Sequence, residues 1–204
     1  VTVLYSGEGA DEASGSYLYF QNAPSLEDFQ TEASRLLEDL QYFDVLRSDK
    51  SVSGCGLEVR VPFLDKDFID YYMRIPPEYK ESKNKMEKEV LRKAFSDNWL
   101  PDEVLWRRKE AFSDGCSSQE RSWYTVIQEY VNQMLTDEES TALQHQWKHN
   151  PPQLKESTYY RMIFEELYPN CDHTIPYYWL PKWSGKVMDP SARVLTNYET
   201  TTPE

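Results

Sequence analysis

A mostly helical chain that opens on a β-strand is what the sequence predicts, and three observations predict it. The first residues, Val1–Tyr5, are apolar and β-branched and stop at Ser6-Gly7. Beyond them, apolar residues recur at helical spacing in successive stretches separated by prolines and capping residues. No internal repeat or low-complexity block interrupts this order. The chain has 204 residues, 39% of them hydrophobic, with 15 Tyr, 8 Phe and 6 Trp. That is enough to bury a core of one domain or one and a half.

The strand ends in Ser6-Gly-Glu-Gly-Ala-Asp-Glu12, where Glu8, Asp11 and Glu12 follow within five residues. A glycine turn after a strand lets a ligand approach the backbone. Clustered carboxylates there suit Mg²⁺ bound together with a phosphate, or they are an ordinary acidic turn. A strand of this kind needs pairing partners, which are expected upstream of Val1. Ser25-Leu-Glu-Asp28 then reads as a capping-box-like start of a helix with Phe29, Ala33, Leu36, Leu37, Leu40 and Phe43 on one face. Asp44 and Arg47 continue that stripe, as a buried structural pair or as the point where the stripe enters a polar site.

Gly54–Asp65 is a short apolar segment punctuated by Glu58, Arg60 and Pro62. Asp65 is expected to cap a helix reaching Arg74, which Pro76-Pro77 ends. Asn84-Lys-Met-Glu87 reads as a further cap, with Met86, Val90, Leu91, Ala94 and Phe95 as its stripe. Trp106–Gly115 has no clean period and reads as a loop, the kind of segment that often carries function. Ser117–Glu120 is expected to start a long helix with Trp123, Val126, Ile127, Tyr130, Val131 and Met134 inward. Helices over Glu138–Lys148 and Ser157–Tyr168 follow, the last with Tyr160, Ile163, Phe164 and Leu167 inward. The aromatic tail from Pro169 is irregular, and residues 199–204 are expected to be disordered.

The net charge is −13, which argues against nucleic acid as the main partner. Residues 1–50 carry 10 acids against 3 Lys/Arg, whereas residues 51–110 carry 12 of each. Within the balanced part, basic residues crowd Lys80–Lys93 and Arg107-Arg-Lys109, a candidate anion site or a solvated helix face. Three separated cysteines fit a reducing compartment, and no run of 18 apolar residues suggests a membrane span. A cytosolic protein is expected. His145 and His149 are four apart, but the remaining signals for a zinc site are missing. Three polar constellations remain: the Ser6–Glu12 turn, Asp44 with Arg47, and the Lys109 loop. They offer metal-binding carboxylates, an Arg fork and a Lys point charge, the parts that phosphoryl or nucleotidyl chemistry uses.

Read as strings, these segments resemble the C-terminal part of the synthetase domain in the glutamine-dependent asparagine synthetase family. Ser6–Glu12 is similar to the family's Ser-Gly-Glu-Gly-Ser-Asp-Glu, and Phe43-Asp-Val-Leu-Arg47 resembles its Asp-x-x-Arg helix end. Leu57–Asp65, Lys109–Gly115, Tyr160–Pro169 and Asp189–Arg193 resemble four further blocks, so the likeness runs over residues 1–198. It implies an α/β, Rossmann-like ATP-pyrophosphatase domain of which this chain is a part. The implied reaction is ATP-dependent amidation of aspartate through a β-aspartyl-AMP intermediate, with ammonia drawn from glutamine and AMP and pyrophosphate released.

By the same resemblance Ser6 and Gly7 would lie against ATP, Glu8 would act beside the acyl-adenylate, and Asp11 would help hold Mg²⁺. Asp44 and Arg47 would line the aspartate site, and Lys109 would neutralise phosphate charge. Val61 and Leu64 would wall an ammonia passage, where apolar residues exclude water. The family's Ser-Gly-Gly-x-Asp-Ser loop and its glutamine-hydrolysing domain are expected upstream, so the segment alone is expected to be inactive. A homodimer stays open. A non-catalytic synthetase-like interaction module and a related ring-forming adenylating enzyme are the alternatives. The set Glu8, Asp11, Asp44, Arg47 and Lys109 favours the synthetase, since costly polar groups have no reason to persist in a relic.

Overall fold

A computed structural model describes residues 1–97, 99–118 and 121–198. The chain divides into two compact units, Val1–Lys109 and Glu110–Glu204. The expected disordered tail, 199–204, lies outside the described residues.

In the first unit a short strand, β1 (Val3–Tyr5), leads through a glycine turn into helix α1 (Ala10–Ser14). Helix α2 (Leu26–Asp39) and helix α3 (Asp44–Gly54) follow, and strand β2 (Glu58–Arg60) returns alongside β1. The strands are parallel, with Val3 opposite Glu58, Leu4 opposite Val59 and Tyr5 opposite Arg60. The expectation that β1 has no partner downstream is therefore corrected. Val59 and Val61 alternate with charged residues, which is the strand period, and the punctuating charges Glu58 and Arg60 point to the exposed side. A parallel pair needs a long helical crossover, which α1 to α3 supply.

The stripe of α2 is buried as its period requires, with Phe29, Ala33, Leu36 and Leu40 all inward. Ser25 caps it, its hydroxyl accepting from Asp28 N at 3.0 Å. The stripe does not run on to Arg47, however. After a 3₁₀ turn at Leu40–Tyr42, Phe43 takes a non-helical backbone (φ −124°, ψ −100°) and α3 starts anew at Asp44. Asp44 is thus a first-turn acid of a second helix, where the helix dipole favours a negative charge. Arg47 is exposed, so the buried-pair alternative falls.

Asp65 caps α4 (Lys66–Met73), accepting from Asp67 N and Phe68 N. The short helices α5 (Pro77–Lys80), α6 (Glu89–Ala94) and α7 (Asp102–Leu105) complete the unit. Helix α6 starts at Glu89 behind Lys88, not at the Asn84 cap, and Lys88 takes the left-handed conformation at φ 59°. The unit's core is aromatic. Phe20 meets Phe29 edge-on at 5.1 Å and packs against Tyr19 at 4.7 Å. Gly15, at φ 56°, ends α1 here, and a Cβ on it would run into the Phe29 ring.

The second unit contains α8 (Phe112–Gly115), α9 (Trp123–Met134), α10 (Asp137–Gln144) and α11 (Lys155–Leu167). The Trp106–Gly115 segment, expected to be loop throughout, thus ends in one helical turn. Ser122, not Ser117, caps α9, accepting from Thr125 N at 3.1 Å. Thr136 and Glu139 form a reciprocal capping box on α10. The unit packs through Val131, Leu135 and the fully buried Thr158, whose hydroxyl joins Ser140 and Gln144. Trp123, Tyr130 and Met134 on α9 and Tyr160, Ile163 and Leu167 on α11 are exposed, against their expected inward position. Periodicity identifies an apolar face but not whether another element covers it. His149 bonds the Ile175 carbonyl at 2.7 Å, a structural contact.

Glu32 is the most deeply buried charge in the first unit. It receives the Tyr19 hydroxyl at 2.9 Å and Arg35 at 2.6 and 2.8 Å. Glu32→Ala should lower the unfolding free energy by about 3 kcal/mol, because Tyr19 and Arg35 lose the buried Glu32 carboxylate, although Arg35 keeps Asp39 at 3.2 Å. Exposed Glu38→Ala on the same helix should stay within about 0.5 kcal/mol of the parent. Urea unfolding of the two variants makes the comparison.

Candidate functional site

Both parallel strands end on the same side, so their C-terminal ends deliver two loops to one place. Ser6 continues the ladder by donating its N–H to the Arg60 carbonyl at 2.8 Å. The Ser6–Gly9 turn then lies against the Val61–Leu64 turn. Gly9 is left-handed at φ 89°, and a Cβ on it would run into the Leu64 side chain. At Gly7, by contrast, the space around a Cβ is open, so its backbone is accessible. This is the end of a parallel sheet at which α/β proteins bind ligands. A groove of about 490 Å³ at the opposite end, lined by Thr2, Ser53, Leu57 and Glu58, has no cationic side chain in its lining and includes none of the site residues.

The predicted charged residues fall into two ion clusters. In the first, the Arg47 guanidinium lies 3.0 Å from Asp44 and 3.3 Å from Glu8, linking α3 to the glycine turn. The break at Phe43 matters here, because it turns α3 so that its first helical turn faces the turn after β1. Glu8 is largely buried, with 18% of its side chain exposed. Burial raises its pKa, Arg47 opposes that, and Asp44 and Asp11 add to the rise; the net shift is upward.

The second cluster centres on Asp11. Lys88 reaches it at 2.8 Å and Lys109 at 3.8 Å, both on Oδ1, and the Ser16 hydroxyl donates to the same oxygen. Burial disfavours the Asp11 carboxylate, but Lys109, Lys88 and Ser16 outweigh it and hold its pKa below the ordinary value. Lys88 was not singled out from the sequence. It lies inside the basic stretch Lys80–Lys93, whose spacing alone does not distinguish the one lysine that reaches Asp11 from those facing solvent. Its left-handed backbone, rare for a residue with a side chain, is a structural mark of the site.

Glu12, the third carboxylate of the turn, is separate from both clusters. It is buried and accepts the Tyr17 hydroxyl. Burial pushes its pKa up to about 7, only partly opposed by the Tyr17 and backbone hydrogen bonds. Among the described residues no three His, Cys, Asp or Glu side chains gather closely enough to cage a metal ion. A hard cation at Asp11 would therefore take most of its ligands from elsewhere, as Mg²⁺ does when it arrives on phosphates.

A raised folded-state pKa gives Glu12 a defined pH signature. Between its ordinary value of 4.5 and about 7 the folded chain keeps a proton that the unfolded chain releases, so stability falls as pH rises through that window. Glu12→Gln keeps an acceptor for Tyr17 and removes the titration. Its stability relative to the parent should rise from pH 4.5 to pH 8 by up to about 3 kcal/mol. Denaturant unfolding of both proteins at pH 5 and pH 8 checks this, and a pH-independent difference would contradict it. Asp11, whose depressed pKa acts at lower pH, is common to both proteins.

The asparagine synthase family model matches residues 23–192. The chain is 47% identical over 203 residues to the asparagine synthetase [glutamine-hydrolyzing] of Gallus gallus, covering 99% of the chain and so the Ser6–Glu12 turn as well. It is 48% identical to the Mus musculus protein of the same name and 47% identical to that of Homo sapiens, each over 198 residues, or 97% of the chain. It spans about a third of the length of these curated relatives, 36% of the first and 35% of the others. No helix among the described residues is long and apolar enough to cross a membrane. A likeness that extends through both ion clusters and the helices holding them cannot arise from short motifs alone: the chain belongs to the asparagine synthase family.

Proposed function

We propose that this chain supplies part of the synthetase site of an enzyme that converts aspartate to asparagine with ATP, using ammonia from glutamine. On this reading the parallel pair is part of a larger Rossmann-like ATP-pyrophosphatase sheet, and a glutamine-hydrolysing domain belongs to the complete enzyme. The observation that carries the reading is the meeting of Lys88 and Lys109 at Asp11, beside the open turn that ends β1. Ser6 and Gly7 lie along the nucleotide, where the bare Gly7 backbone permits close approach.

An aspartate side-chain oxygen attacks the α-phosphorus, and the bond to pyrophosphate breaks. Lys109 and Lys88 balance the charge that gathers on the departing phosphates. Asp11 would be the protein carboxylate for a Mg²⁺ ion arriving with ATP, and that cation would supply further charge neutralisation. Arg47, held between Asp44 and Glu8 but open to solvent, is placed to exchange onto a substrate carboxylate. Ammonia then attacks the acyl carbon, AMP leaves, and Glu8 accepts the proton lost from nitrogen. A carboxylate with a raised pKa is a better base for that step. Val61 and Leu64 give the approach to Glu8 an apolar wall.

Lys109→Ala in the complete enzyme should slow pyrophosphate formation from ATP and aspartate about 10²- to 10³-fold, with ammonia supplied directly. Lys109→Arg should restore activity only in part, because the guanidinium is bulkier and its donors are fixed. Glutamine hydrolysis should continue in both. Near-normal pyrophosphate formation in the Ala variant would overturn the reading.

Asp44→Asn should reduce asparagine formation while leaving the melting temperature within a degree or two. Its ion pair with Arg47 is solvent-exposed, and such pairs contribute about 0–1 kcal/mol. Thermal melts beside synthesis assays separate a functional from a structural role.

A further inference from the structure

Lys109 has a second neighbour besides Asp11. Its ammonium sits over the Tyr17 ring, 4.8 Å from the centroid, which is cation–π distance. Only 18% of the Lys109 side chain is exposed, so ring and carboxylate bracket its end. Tyr17 follows α1 by two residues and opens the 3₁₀ turn Leu18–Asn22. Its hydroxyl donates to the buried Glu12 carboxylate. Its ring stacks on Tyr19, with centroids 6.2 Å apart and planes 11° from parallel, and the Tyr19 hydroxyl is tied to buried Glu32. Two stacked rings, each anchored at its hydroxyl end to a buried glutamate, make a rigid floor. Lys88 differs, since its contact with Asp11 is a close ion pair of 2.8 Å that needs no such support.

Building on the role proposed for Lys109, we propose that Tyr17, anchored by Glu12, is a positioning residue that holds the Lys109 ammonium where the phosphate charge develops. A lysine has a long flexible stem, and its charge helps the transition state only where it is already aimed. Asp11 alone fixes one distance, 3.8 Å, which leaves Nζ free to swing around the carboxylate. The ring face restricts that swing to one side. It attracts the cation without neutralising it, so the full positive charge stays available to phosphate. A second carboxylate at the same place would hold Lys109 more tightly but cancel what it is there to provide. Glu12 acts one step further out. The Tyr17 hydroxyl donates to the Glu12 side chain, which is buried and so has little freedom to move. The hydrogen bond then fixes the ring plane.

A double-mutant cycle on the complete enzyme tests this, reading pyrophosphate formation at saturating ATP, Mg²⁺, aspartate and ammonia. Tyr17→Leu removes the ring and should lower kcat roughly tenfold. Tyr17→Phe keeps the ring face but loses the anchor, and should fall between Leu and the parent. In a Lys109→Ala background neither Tyr17 substitution should reduce the rate further, because nothing is left to position. If the Tyr17 and Lys109 losses multiply instead, Tyr17 acts independently of Lys109 and the proposal fails while the Lys109 role stands. If Lys109→Ala alone is near normal, the functional reading and this inference fall together. Should Tyr17→Leu not fold by thermal melt, the same cycle is read with Tyr17→Phe, whose smaller loss must also vanish without Lys109.

Discussion

Parallel pairing of Val3–Tyr5 with Glu58–Arg60 is the constraint on which the candidate site depends. The pairing joins segments some fifty residues apart and sends both chains out of the sheet in the same direction. Ser6–Asp11 and Val61–Leu64 become neighbours for that reason alone. The helices between them must then complete a crossover, which puts the first turn of α3 within reach of Glu8. An antiparallel return would have left Val61 at the far end of the sheet from Ser6.

Charge organisation follows from this framework. Glu8, Asp11 and Asp44 face Arg47, Lys88 and Lys109, so the acids and cations of the site pair with one another. Against the effect of burial, Lys109 and Lys88 hold the Asp11 carboxyl below its ordinary pKa and meet at one of its oxygens, at 3.8 and 2.8 Å. Because the Arg47 contacts are open to solvent and the Asp11 contacts are more enclosed, the two clusters differ in how readily they exchange partners. The more exposed cluster can rearrange, while the enclosed one presents a fixed pattern of charge.

Much of this was legible from residues alone. The α2 stripe, the Ser25 and Asp65 caps and the end of α4 before Pro76 follow local rules, and local rules suffice where one helix face meets one core. Glu8 and Asp11 stood out as charges after a strand, Asp44 and Arg47 as charges in a core-facing phase, Ser6 as part of a glycine turn and Lys109 as part of a charged loop. What escaped was non-local. The β2 strand is three residues long and is defined by its partner, not by its own pattern. The break at Phe43 has no proline or glycine to announce it. Lys88 and Tyr17 look like any surface lysine and any core tyrosine until the fold brings each to Asp11 or Lys109. The exposed faces of α9 and α11 show the same limit, since an apolar stripe does not reveal whether anything lies over it.

The left-handed backbone at Lys88 carries a consequence for anyone engineering this protein. At φ 59° a glycine would relax the chain and a lysine strains it, by about 1 kcal/mol. Consensus scoring or stability-guided redesign that weighs backbone comfort would therefore nominate this position early for replacement. The exchange would relieve the backbone but strip the closest cation from Asp11, leaving a largely enclosed carboxylate with one fewer partner. Backbone comfort and ion pairing are opposed at this single residue, so a score for local backbone strain is a misleading guide to variants that alter it.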